Sequence, residues 1–113
     1  MCCKYLQCIS CNLTKLELLP PLLKKLNCRY NKIEIINNFL SEIKELRCDY
    51  NYLTNLNFIV FPQLIINLNC NHNKITELPS NLINCEQLRC GHNLISKLPE
   101  NLNKKLKFLY WDN

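Results

Sequence analysis

The chain has 113 residues, 48% apolar and 20% charged, with a net charge of +5 and nine cysteines. That length suits one domain, and the composition excludes a disordered chain. Basic and acidic residues interleave, as in Lys44-Glu45 and Glu86 near Arg89, which argues against a dedicated nucleic-acid binder with a one-sided basic stripe.

The N-terminus, Met1-Cys2-Cys3-Lys4-Tyr5, lacks an apolar run of signal-peptide length. Cys2 is either a lipidation site or an ordinary end residue. The first organised segment is Leu6-x-Cys8-x-x-Cys11-x-Leu13-x-x-Leu16, and its spacing returns as Leu26-x-Cys28-x-x-Asn31-x-Ile33-x-x-Ile36. It returns again around Asn51, Asn73 and Asn93, at intervals of 20, 22 and 20 residues; a further step of 20 reaches Asn113, and one backwards from Asn31 reaches Cys11. A period of this size means one small unit stacked on itself.

Within a unit, Leu26 and Cys28 alternate with Asn27 and Arg29, the period of a short strand with one buried face. Asn31 follows where the chain turns a corner. An asparagine there can offer its amide to the backbone of its own coil and of the next. Ile33 and Ile36 point back into the core, and a loosely structured arm closes the coil. In the arms at 37–42 and 57–63 short helical turns are expected, the second carrying the two extra residues of the 22-residue interval. The later arms, Leu78-Pro79-Ser80-Asn81-Leu82 and Leu98-Pro99-Glu100-Asn101-Leu102, are near copies whose prolines disfavour helix. The longest apolar stretch, Phe58 to Ile66, is broken by Pro62 and Gln63 and too short to span a bilayer.

Stacked units place equal positions in columns about 4.8 Å apart. One column reads Leu6, Leu26, Leu46, Leu68, Leu88, Phe108; a second reads Cys8, Cys28, Cys48, Cys70, Cys90, Tyr110; a third is the structural ladder Cys11, Asn31, Asn51, Asn73, Asn93, Asn113. Cysteines in the second column are expected to serve as small inward hydrophobes in a reduced, intracellular, cytoplasmic setting rather than as a disulfide framework. Phe108, Tyr110 and Trp111 close the C-terminal end as a lid, with end-to-end self-association through an open strand edge as the alternative.

The pattern resembles the leucine-rich repeat family, whose signature L-x-x-L-x-L-x-x-(N/C)-x-L maps onto windows beginning at Cys3, Leu23, Ile43, Ile65, Cys85 and Lys105. Cysteine stands five times, and Tyr110 once, where the family's third position is usually leucine. With the Leu-Pro arms, the 20-residue period resembles short bacterial-type repeats. The resemblance implies an α/β-type solenoid: a right-handed arc with a parallel β-sheet on the concave face and irregular, polyproline-like or short helical-turn arms on the convex face. It further implies a single leucine-rich repeat domain over 1–113, with about five full repeats and a partial last one.

The function implied is a non-enzymatic protein–protein interaction module. Its partner-binding residues are the outward strand and corner positions Lys25, Arg29, Tyr30, Arg47, Asp49, Tyr50, Asn69, Asn71, His72, Arg89 and His92. No nucleophile motif, phosphate loop or carboxylate pair is visible, so no catalytic residue and no cofactor is assigned. His72 and His92 share one repeat position, with no carboxylate beside them although Asp112 follows one step along, and no metal site is assigned. The alternatives are nucleic-acid or anionic-surface binding through Lys24, Lys25, Arg29, Lys44 and Arg47, and a structural fragment without a partner of its own.

Overall fold

The computed structural model describes residues 3–100, 102 and 105–112. Cys2, Asn101 and Asn113, named above for lipidation, a Leu-Pro arm and the last ladder position, lie outside the described residues. Six short strands, β1 (Tyr5–Gln7), β3 (Lys25–Asn27), β5 (Glu45–Arg47), β6 (Asn67–Asn69), β7 (Gln87–Arg89) and β8 (Phe108–Tyr110), pair in that order in one parallel sheet. Two further strands, β2 (Lys15–Leu16) and β4 (Ile35–Ile36), pair in the arms of the first two coils, and a bridge from Leu40 to Ile59 continues that side. The chain is thus a parallel β-solenoid of about five turns, with no helix long and apolar enough to cross a membrane among the described residues.

The register follows the repeat. Leu6 lies opposite Leu26, Leu26 opposite Leu46, and Leu68 opposite Leu88. The 22-residue interval keeps Leu46 opposite Leu68, its extra length absorbed in the arm by a 3-10 turn over Pro62–Leu64. Proline at that turn's start fixes φ and needs no hydrogen-bond partner for a missing N–H. Among the described residues this is the only regular helical element, and the arms at 37–42 and 78–82 carry none.

The last coil departs from a strict step of twenty. Leu88 lies opposite Leu109, not Phe108, and Arg89 lies opposite Tyr110. The window therefore begins at Leu106, which with Leu109 and Trp111 repeats the apolar spacing of Cys85, Leu88 and Cys90. The physical reason is shape: this shift puts Trp111 at the place after the strand, half-buried against the core, while Phe108 and Tyr110 turn outward. Tyr110 thus does not end the cysteine column, and Phe108 does not end the leucine column.

The core consists of the expected columns. Leu26, Leu46, Leu68 and Leu88 are at most 1% exposed, as are Cys28, Cys48, Cys70 and Cys90 beside them. Ile33, Leu53, Ile75 and Ile95 form the next buried row. Burial at about 25 cal/mol per Å² makes these rows the main source of stability, and each depends on a neighbouring coil to complete it.

Candidate functional site

At every corner the residue before the ladder position is left-handed: Ser10, Tyr30, Tyr50, His72 and His92 have φ between 55 and 60°. Such a conformation costs a non-glycine residue on the order of 1–2 kcal/mol. The cost is offset directly after it, where the asparagine amide enters the coil. Asn31 accepts from the backbone N–H of Cys11 and of Leu13 at 2.9 and 3.0 Å, and donates to Cys8 O and Cys28 O at 2.8 and 3.1 Å. Asn73 accepts from Leu53 N–H at 2.9 Å and donates to Cys48 O and Cys70 O at 3.0 and 3.2 Å. Asn93 likewise joins Ile75 N–H to Cys70 O.

Each asparagine therefore bridges its own coil to the preceding one, not to the following one as the repeat pattern suggested. Strand-end carbonyls and arm N–H groups of the earlier coil are the ones left unpaired at the bend, and the amide reaches back to them. Cys11, at the first ladder position, is exposed, and its thiol contacts only Ile9 O of its own coil.

The corner residues form a stack at the ends of the strands. Ring centroids lie 4.7 Å apart for Tyr30–Tyr50, 4.2 Å for Tyr50–His72 and 4.1 Å for His72–His92, with rings within 16° of parallel. These separations approach the strand spacing, so coil stacking itself brings the rings face to face. Tyr110 tilts across the end, with its hydroxyl 3.1 Å from His92 Nε2, while Asp112 Oδ2 lies 3.3 Å from His92 Nδ1. The backbone N–H of His92, donated to Asp112 at 2.6 Å, holds that carboxyl below its ordinary pKa. Gly91 leaves the space that the Tyr110 ring fills; a Cβ there would overlap it.

The stacked geometry bears on metal binding. Parallel imidazoles direct their in-plane lone pairs side by side instead of at one point, and both His92 nitrogens already have partners. No group of three potential ligands exists among the described residues.

Beside the stack, Lys25, Arg47, Asn69 and Arg89 occupy strand or strand-end positions between the core leucines, which turns them to the concave side. Arg89 lies 4.4 Å over the Phe108 ring, and Arg29 lies 5.2 Å from the Tyr30 ring centroid. Asn69 and Asn71 spend their carbonyl oxygens on the backbone N–H groups of Asn71 and Gly91. Asp49 is a correction to the predicted contact surface. It is 2% exposed, and the Arg29 Nε donates to both its oxygens at 3.0 and 3.1 Å. A carboxylate so enclosed is a partner for Arg29, not for another molecule. Asn27, one of the outward strand positions expected on this face, is buried there, and Tyr110 and Asp112 close the end of the stack beside His92.

A solved structure titled YopM from Yersinia enterocolitica WA-314 superposes with a TM-score of 0.77 at 26% sequence identity. The match covers 88% of this chain and 21% of that one, so this chain spans about a fifth of that protein's length. No family model and no curated protein sequence matches the chain. Together with the in-register parallel coils, the likeness establishes the architecture as that of the leucine-rich repeats.

Proposed function

We propose that this leucine-rich repeat chain is a non-enzymatic module that docks a protein partner on its concave face. The observation that carries the reading is the continuous wall of Tyr30, Tyr50, His72 and His92, flanked by Arg47 and Arg89. Aromatic and arginine side chains are the usual anchors of protein interfaces, because they bury much area for little lost conformational freedom. Held by stacking, these side chains lose little further entropy when covered. Lys25, Arg29, Asn69 and Asn71 complete the proposed contact surface. The ionisable groups nearest the wall are engaged structurally, Asp49 with Arg29 and Asp112 with His92, which favours binding over chemistry. An intracellular, reducing setting fits the free thiols of the described residues.

The test is a double substitution, Tyr50→Asn with Arg89→Ala. Asparagine suits the left-handed backbone at position 50, where φ is 60°, so the corner is kept while the ring is removed. Quantitative pull-down from the native cell is expected to lose the partner captured by the wild-type chain, with an unchanged circular dichroism melt. Undiminished capture by the double variant contradicts the reading.

A further inference from the structure

At the N-terminal end of the concave face, β1, β3 and β5 border an open cavity of about 480 Å³. Lys4, Lys24, Lys25 and Arg47 line it, against one carboxylate, Glu45, which pairs with Lys25 at 3.8 Å. Lys4, Lys24 and Arg47 have no carboxylate within ion-pair distance among the described residues. Asn27 also lines the cavity. It is 8% exposed, and its Oδ1 is buried without a hydrogen-bond partner. Buried polar atoms are almost always paired, so an orphan acceptor in a cationic recess points to a missing donor.

We infer that this recess takes an acidic segment of the protein partner, with Asp or Glu carboxylates against Lys4, Lys24 and Arg47 and a backbone N–H donated to Asn27 Oδ1. The inference rests on the concave-face reading above and specifies the partner's chemistry. A peptide carries both required groups within one or two residues: negative charge for the cations and an amide donor for the lone acceptor. A phosphodiester strand matches less well. Its charge repeats at every nucleotide, whereas the concave strand positions beyond Arg47 are amides, Asn67, Asn69 and Gln87, until Arg89. Phosphate oxygens also bring no donor to Asn27.

The probe is a fluorescein-labelled peptide of alternating glutamate and glycine, titrated with the full chain and followed by anisotropy, beside a labelled oligothymidylate. The wild type is expected to bind the peptide more tightly than the oligonucleotide. Arg47→Glu should weaken peptide binding roughly tenfold or more, and Asn27→Leu several-fold. Lys97→Glu, an equal charge change on an exposed arm away from the recess, should leave it within about twofold. Absent peptide binding, equal loss in Lys97→Glu, or tighter oligonucleotide binding each overturns the inference. Partner capture scored in parallel separates the two levels. Capture lost in the Tyr50→Asn, Arg89→Ala variant but kept in Arg47→Glu overturns the acidic-segment inference alone, and capture indifferent to all of them overturns the docking reading itself.

Discussion

Replacing Asn51 with alanine is expected to lower folding stability by about 2–6 kcal/mol. Asn51 is 3% exposed, accepts from Ile33 N–H at 2.9 Å and donates to Cys28 O and Cys48 O at 2.9 and 3.1 Å. Alanine strands the Ile33 N–H where water does not reach, at about 1–3 kcal/mol, and takes one of two amide donors from each carbonyl, since Asn31 still donates to Cys28 O and Asn73 to Cys48 O, at about 0.5–1.5 kcal/mol each. A domain has a total of only about 5–15 kcal/mol. Because coils are stable only through their neighbours, the loss at this central corner spreads to both sides. Asn51→Asp restores the acceptor for Ile33 but cannot donate to the carbonyls, so it should be nearly as damaging. Urea denaturation reads the effect directly, and a midpoint equal to wild type would contradict it.

The second large effect is alkaline unfolding. Burial pushes the Cys28 thiol up to about 12 and those of Cys48 and Cys70 well above their ordinary 9.0, with neighbouring thiols of the same column adding to the shift. In the unfolded chain these thiols ionise at their ordinary value. A folded-state pKa raised above the unfolded one means that stability is intact below pH 9 and lost as pH climbs toward the folded value. Each such thiol costs about 1.4 kcal/mol per pH unit in that window. Three of them remove about 4 kcal/mol by pH 10, and Cys85 and Cys90, also raised by burial, act in the same direction. Under reducing conditions, denaturant midpoints should fall steeply between pH 9 and 10. Cys48→Ala should be less stable at neutral pH yet show a shallower decline. A stability profile flat through this range would show that the thiols are not sealed in the core.

Both effects come from parts of the molecule that the sequence announces. The period locates the leucine and cysteine columns, and the two extra residues of the 22-residue interval fall in an arm, where they leave the register intact. The same arithmetic failed at the last coil. Counting twenty from Leu88 selects Phe108, whereas Leu88 pairs with Leu109, and Leu106 and Trp111 on either side of it pack against the core. Apolar spacing was the better guide there than repeat length. The direction of the asparagine bridge was not legible, because a pattern shows which positions recur but not which neighbour lacks partners.

The wall was partly legible. Tyr30, Tyr50, His72 and His92 share one repeat position, but their left-handed backbone was hidden, since tyrosine seldom marks that conformation. Asp49 looked outward by alternation. Its burial follows from Arg29 one coil earlier at the same repeat position, a charge pair that could have been noticed by aligning the coils. Asn27 carried no such sign; its orphan oxygen exists only once three strands surround it.

The most direct measurement of whether asparagines tie successive coils together is native-state hydrogen exchange by NMR at Ile33, Leu53 and Ile75. Their backbone N–H groups donate to the side-chain Oδ1 of Asn51, Asn73 and Asn93, not to a backbone carbonyl. They should exchange as slowly as the N–H groups of Cys28, Cys48 and Cys70, which are bonded to the next strand. Exchange at the rate of an unprotected loop at all three positions, beside slow cysteine amides, would contradict the bridged solenoid.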